Sequence, residues 1–208
     1  MAEAAAPPDT SPGTGVERSL RGFTGAGYDK GRPLLVQAVW FAVLHLVFVR
    51  WWFPARWRPA VLRAFGARIG QRVLIRHGVR VHWPWRLHIG DDVWIGEGAW
   101  LLNLEQILIG SNVCVSQDAL LCTGSHQRGS PTFEFDNAPI RLEPGAWVAA
   151  RAVVLRGVTV GRGAVVGASA IARRDVAAGE VITTAVTTAV ATGVATEDAT
   201  GFATGGPS

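Results

Sequence analysis

Cysteine is nearly absent from the 208 residues: only Cys114 and Cys122 occur, with no CxxC spacing. That leaves no disulfide framework and no cysteine-based zinc or redox pair, and makes a reducing compartment the default. Charge imbalance is also slight, with 20 basic residues against 16 acidic ones and a net of +4. So mild an excess does not argue for nucleic acid, and the arginines are not interleaved with stacking aromatics on a recognisable scaffold. No nucleic-acid partner is expected. The excess does suit a phosphorylated ligand or an anionic membrane surface. The N-terminus lacks the basic stretch and apolar core of a secretory signal. No Gly-rich nucleotide domain precedes the periodic region described below, which argues against a nucleotidyltransferase.

Apolar residues are plentiful, at 49%, so the chain is globular and long enough for one domain plus tails. Composition divides it. Residues 1–32 read as a disordered tail. Residues 33–68 are apolar, then Trp- and Arg-rich, and read as helical. Residues 69–178 hold a repeat, with an inserted loop at 122–141. Residues 179–208 are a low-complexity Ala/Thr/Val/Gly mixture.

The repeat carries the argument. Aliphatic residues fall at Ile69, Ile75 and Val81, at Ile89, Ile95 and Leu101, and at Ile109, Val115 and Leu121. After a break they resume at Leu142, Val148, Val154, Val160 and Val166, and Ala172 closes the run. The step is six residues, stretched to eight between Val81 and Ile89 and between Leu101 and Ile109. Four residues after the aliphatic comes a small or β-branched residue, as at Val79, Val93, Ala99, Val113, Ala119, Ala152 and Ala164. Trp85 and Glu105 break this rule in the two stretched blocks. A period of six fits neither a helix nor simple strand alternation. It fits a three-sided coil with one short strand and one corner per side. Glycine after the aliphatic, as at Gly70, Gly90 and Gly110, is expected to permit the corner's backbone angles. Stacked coils then pair as parallel sheets around a continuous aliphatic column. The expected fold is mainly β, a left-handed parallel β-helix with an N-terminal apolar helical segment. A β-sandwich would need alternation with turns every eight to twelve residues.

Leu34 to Val49 is apolar around every face but only sixteen residues long, short of the roughly twenty a spanning helix wants. Arg50, Trp51, Trp52, Arg56, Trp57 and Arg58 follow. Three readings stay open: an interfacial membrane helix, giving peripheral contact through 34–58, a helix packed across the open end of the first coil, or a true membrane span.

The strings LRAFGARIGQRV, PWRLHIGDDVWIGEGAW, ILIGSNVCVSQDALLCTGSH and WVAARAVVLRGVTVGRGAVVGASAIARRDV resemble the hexapeptide-repeat acyltransferases over about residues 60 to 176. More narrowly, they resemble the colanic acid biosynthesis acetyltransferases, near the galactoside and maltose acetyltransferases. The resemblance implies a homotrimer, acetyl-CoA as co-substrate, no metal, and a cleft shared by adjoining protomers. It also implies a general-base histidine at the start of a protruding loop, which by position is His126. For coenzyme A it implies Trp147 against the pantetheine, backbone amides at Ala150 and Ala168, and basic charge for the phosphates at Arg173 and Arg174. Asn103 is expected near the acceptor, with Glu105 beside it as a further substrate contact. Glu105, Glu134 and Asp136 are candidates to orient His126. The run DVAAGEVITTAVTTAV departs from the family's ending and puts the adenine-side contacts in doubt.

The chemistry is sensible for these residue types. A sugar hydroxyl is a poor nucleophile near neutral pH, and a neutral imidazole is the usual acceptor of its proton. No covalent intermediate is required, so direct transfer to a sugar or exopolysaccharide-precursor hydroxyl is expected. His77, His82 and His88 fall on the first coils, and His77 and His82 look like surface residues. A γ-class carbonic anhydrase type of metal site would need a second histidine just beyond His126, and there is none. The expected setting is cytoplasmic, with peripheral contact at the inner face of the membrane. Two other functions stay open: acyl transfer to an amine of a small molecule, and a non-catalytic β-helix scaffold.

Overall fold

The computed structural model describes residues 19–184. Residues 1–18 and 185–208, which hold most of the two expected tails, lie outside the described residues. From Arg68 onward the chain winds as a parallel β-helix with three faces. The first face contains the strands Arg68–Ile69, Leu87–Ile89, Ile107–Ile109, Ile140–Leu142 and Thr159–Val160. The second contains Leu74–Ile75, Trp94–Ile95, Cys114–Val115, Trp147–Val148, Val165–Val166 and Val181–Ile182. The third contains Arg80–Val81, Trp100–Leu102, Leu120–Cys122, Val153–Leu155 and Ile171–Ala172. The pair Val181–Ile182 lies beyond the expected limit of 178 and adds a strand to the second face.

Register follows the sequence period. Ile69 pairs with Ile89 and Ile89 with Ile109, a coil of twenty residues each time. Leu142 pairs with Val160, and Val148 with Val166, a coil of eighteen. Between the two regimes Ile109 pairs with Leu142, so the long insertion leaves the register intact. The six-step aliphatics from Ile75 to Ala172 are all buried, as are the small residues four positions on from Val79 to Ala170. Together they form the axial core. The outward residues stack in register too, because side chains alternate across a strand.

Glycine after the aliphatic has a different reason from the one expected. Gly90 is not in the left-handed region. A Cβ there would sit 2.7 Å from Ser111 Oγ and 2.8 Å from the Ser111 amide of the next coil, so close approach of stacked backbones excludes a side chain. The left-handed angle falls two residues later, at Arg72, Asp92, Asn112, Asp118, Arg151 and Ser169, or at glycine as at Gly78 and Gly98.

The N-terminal segment closes the open end of the first coil. An α-helix, Leu34–Val43, runs into a π-helical turn, Leu44–Phe48. Its inner face, Gln37, Trp40, Leu44 and Phe48, is buried. Trp40 Nε1 donates to the carbonyls of Val81 and His82 at 3.1 and 3.0 Å. A second helix, Arg58–Ala64, follows, and its Arg58 is 2% exposed. The Arg58 guanidinium donates to the carbonyls of Phe48, Arg50 and Ile75 at 3.0, 2.7 and 3.4 Å, which ties the cap to the first coil. Burial lowers its pKa. Of the readings left open, packing across the first coil is therefore observed. Among the described residues, no helix is long and apolar enough to cross a membrane.

Residues 19–32 were expected within a tail without structure. They instead form a strap. It contains a short 3-10 turn, Leu20–Gly22, and runs over the inserted loop to the helical cap.

Candidate active site

The interruption in the repeat is a β-hairpin on the edge between the third and first faces. The flanking strands end at Cys122 and restart at Ile140, so the loop is slightly shorter than the 122–141 expected. Gln127 N donates to Glu134 O, Asp136 N to Ser125 O and Ala138 N to Thr123 O, at 2.8, 2.8 and 3.0 Å. Its root is buried: Thr123 Oγ1 donates to Leu102 O at 2.9 Å and accepts the Glu105 amide at 2.9 Å. The hairpin thus grows from a fixed point on the solenoid.

His126 stands on the outgoing arm, bridged to Phe135 on the return arm. Its ring is stacked on Phe133, with centroids 4.1 Å apart and planes at 9°, and lies 5.2 Å from the Phe135 ring. Phe23 of the strap closes on its edge at 5.8 Å. Nδ1 lies 2.7 Å from the Phe133 carbonyl. A carbonyl only accepts, so Nδ1 carries the hydrogen and, in the neutral ring, Nε2 keeps a lone pair. Phe133 holds a left-handed φ of 56°, which turns that carbonyl back toward the histidine arm. The strap steadies the return arm. Thr24 donates from its amide and hydroxyl to Glu134 Oε1 at 3.2 and 3.1 Å, and Ser19 N donates to Pro131 O at 2.9 Å.

The orienter of His126 is therefore a backbone carbonyl and not one of the expected carboxylates. Glu134 serves the strap, Asp136 pairs with Arg156, and Glu105 pairs with Arg86 at 3.0 Å. Asn103 also departs from expectation. It is fully buried, its Oδ1 accepts the Trp83 amide at 2.9 Å, and its Nδ2 donates to the Trp83 carbonyl at 2.6 Å. It clamps together the two expanded corners of the twenty-residue coils and, with no exposed surface, presents neither amide atom to an acceptor.

The remaining site residues divide between edges. Arg173 joins Gly124, Ser125, Leu155 and Arg156 around a polar pocket of about 370 Å³ on the His126 edge. Arg174 is exposed and held by Glu180 at 2.8 Å. Trp147 lies outward on the second face and donates from Nε1 to Ser116 Oγ at 2.9 Å. Ala150 and Ala168 occupy equivalent corners two residues after Val148 and Val166, on the edge between the second and third faces. Ser169 N donates to Ala150 O at 2.9 Å and joins these corners. Within one protomer, Trp147, Ala150 and Ala168 are thus not on the edge that carries His126.

Of the other histidines, His77 meets Glu97 at 2.9 Å, while His82 is not the surface residue expected. It lines a cavity of about 720 Å³ with Phe23, Tyr28, Phe41, Trp83 and Phe135. Burial, with the nearby Lys30 charge, pulls its pKa down to about 4. Among the described residues, no group of three or more His, Cys, Asp or Glu side chains is arranged to hold a metal ion.

The aromatic cage was missed because its parts look unremarkable in sequence. Phe133 and Phe135 alternate around Glu134 in a Gly/Ser/Pro-rich stretch, and that alternation was the available signal. Phe23 sits in a segment whose composition reads as tail.

The chain is 41% identical over 155 residues to the colanic acid biosynthesis acetyltransferase WcaF of Escherichia coli (strain K12). The match covers 73% of this chain and 84% of WcaF. The chain belongs to the hexapeptide-repeat acetyltransferase family. Membership makes it an acyltransferase. Another member of the family, the galactoside O-acetyltransferase of Escherichia coli (strain K12), is 22% identical over 125 residues, covering 57% of this chain and 60% of its own. Among solved structures, the Vibrio cholerae O1 biovar eltor acetyltransferase VCA0836 complexed with acetyl coenzyme A superposes with a TM-score of 0.66. It is 20% identical and covers 77% of this chain and 90% of its own. A galactoside acetyltransferase in complex with coenzyme A gives 0.63 at 18% identity, covering 71% and 75%. At these identities the two structures speak for the fold. No protein-family model matches the chain.

Proposed function

We propose that this acetyltransferase moves an acetyl group from acetyl-CoA directly to a hydroxyl of a sugar or exopolysaccharide precursor, with His126 as general base. The observation that carries the reading is the 2.7 Å contact between His126 Nδ1 and the Phe133 carbonyl. It fixes the tautomer whose Nε2 can take a proton, inside an aromatic cage that fixes the ring plane. Nε2 removes the hydroxyl proton as the acceptor oxygen bonds to the thioester carbonyl carbon. The C–S bond then breaks, and the imidazolium returns the proton to the departing thiolate. The sugar class follows the names of WcaF and the galactoside relative.

Coenzyme A suits the residues on both edges. Arg173 and Arg156 bring cationic charge to the pocket beside Ser125, where phosphate oxygens would find charge-assisted donors. Trp147, Ala150 and Ala168 are the remaining contacts assigned to it. Because they lie on a different edge from His126, one cleft can hold all of them only if a second copy supplies one side. Two outer faces suit such an assembly. The second face presents Leu74, Trp94, Cys114, Trp147, Val165 and Val181 in register, and the third presents Arg80, laid 4.1 Å over Trp100, then Trp100, Leu120, Val153 and Ile171. The first face presents Arg68, His88, Leu108, Arg141 and Thr159 and is far more polar. Second face against third face is a heterologous contact, and three copies joined so as to close the ring would form the homotrimer. The segment 34–58 adds a membrane-facing element to this reading.

Thiol release from acetyl-CoA, measured with a panel of sugars and amino sugars, tests the proposal. His126→Ala should lower turnover by roughly two to four orders of magnitude, with little change in the KM for acetyl-CoA. Full activity in that variant overturns the mechanism. Turnover with amines alone overturns the acceptor class.

A further inference from the structure

The helical cap that closes the first coil keeps a second apolar side. Along Leu34–Val43 and Leu44–Phe48, one face is buried on the solenoid. The opposite face presents Leu35, Val39, Ala42 and Leu46 at helical spacing, outside the core. Leu34 and Leu35 are 76% and 75% exposed, Leu46 is 64% exposed, and Trp51 and Trp52 continue the ridge at 80% and 54%. Cations bracket it: Lys30 and Arg32 precede the helix, and Arg50 and Arg56 flank the tryptophans, all four exposed.

Charge across the whole chain is segregated around this ridge. From Lys30 to Gly90 there is no aspartate or glutamate, and there are eleven lysines and arginines. The other nine cations share the rest of the chain with all sixteen carboxylates. Carboxylates from later coils reach back to only part of this basic end. Asp92 meets Arg72 at 2.6 Å and Glu105 meets Arg86 at 3.0 Å. Arg58 is buried in the cap. The mild net charge of the protein thus conceals a cationic end, made of the cap and the first coil together, with an exposed Leu/Trp ridge.

We propose that this cap docks on an anionic lipid bilayer, lying in the interface without crossing it. Tryptophan and leucine beside arginine are the residue types that partition into the headgroup boundary, and anionic lipid supplies the counter-charge that the cap lacks. Among the described residues no helix can span a bilayer, so the contact is peripheral. The inference deepens the membrane element of the function proposed above, and its readout is independent of acetyl transfer.

The test is sedimentation of the full chain with vesicles of phosphatidylcholine alone and of phosphatidylcholine mixed with phosphatidylglycerol. The protein should pellet with the mixed vesicles and should be released by high salt, which screens surface attraction. Arg50→Glu with Arg56→Glu, and separately Trp51→Glu with Trp52→Glu, should each weaken binding at least about tenfold. Circular dichroism and thiol release with a soluble acceptor should stay at wild-type levels in both variants. No pelleting, equal pelleting with neutral vesicles, or unchanged binding by the tryptophan variant overturns the proposal. So does a wild-type self-association that the tryptophan variant abolishes while vesicles fail to bind, since the ridge would then serve a second copy. If His126→Ala stays active yet vesicle binding holds, the mechanism fails and the docking surface stands.

Discussion

Replacing Asn103 with alanine should unfold the protein more easily without touching its affinity for an acceptor. The side chain is fully buried, and both of its polar atoms are spent on the amide and carbonyl of Trp83. Trp83 is itself 2% exposed, so water cannot take over those bonds. Asn103→Ala therefore strands the buried Trp83 amide, while the Trp83 carbonyl keeps the Arg86 amide at 3.0 Å, for a loss of roughly 1–3 kcal/mol. Asn103→Asp should do no better, because it keeps the acceptor for the Trp83 amide but turns a carboxylate oxygen toward the Trp83 carbonyl. Urea unfolding followed by tryptophan fluorescence measures the loss, and steady-state kinetics on the folded fraction measure the acceptor KM. A stability loss under about 0.5 kcal/mol together with an acceptor KM raised tenfold would refute the clamp and return Asn103 to the substrate.

Three further outcomes follow from the geometry. Arg58→Met should cost about 2–4 kcal/mol of stability, because three carbonyls of the cap and first coil lose a charged donor, only that of Arg50 having the Phe53 amide as a second partner among the bonds described; an unchanged urea midpoint contradicts this. His82 is neutral when folded, with its pKa held near 4 chiefly by burial and then by Lys30. The unfolded chain takes up a proton below the ordinary value of 6.5, so stability should fall as pH drops from about 6.5 toward 4 and level off below. That part of the pH dependence should be missing in His82→Gln, as thermal melts across the range will reveal. Phe23→Ala removes two edge contacts from the histidine cage, worth about 0.5–1.5 kcal/mol each. Turnover should drop on the order of tenfold, with the KM for acetyl-CoA unchanged; a wild-type kcat would show that the strap does not position His126.

The solenoid was legible because one constraint recurs at Ile69, Ile75, Val81 and every later inward position, so no single residue had to be read correctly. The place of His126 on the protruding hairpin was legible for the converse reason: it stands where the six-step is suspended. Asn103 misled because polarity in an inserted stretch gives no direction, and only the pairing of the two expanded coils turns that side chain inward. Trp147 and Ala150 share one coil and Ala168 lies on the next, as their spacing implies. Their separation from His126, though, depends on which of three edges each corner occupies, and that emerges only from strand register. The strap was hidden because Phe23, Thr24 and Tyr28 are thinly spread among glycines. What orders them is contact with the distant hairpin, not local propensity.

Ile109 and Leu142 pair as neighbours although the whole hairpin intervenes between them. Each winding answers only to the one above and the one below, so whatever is extruded at an edge leaves the stack indifferent to its length. The arm that carries His126 can then be lengthened, trimmed or exchanged while the barrel of aliphatics behind it stays the same. On the function proposed above, new acceptors would become reachable by editing a single excursion, with the risk to foldedness concentrated at the buried threonine where that excursion is rooted.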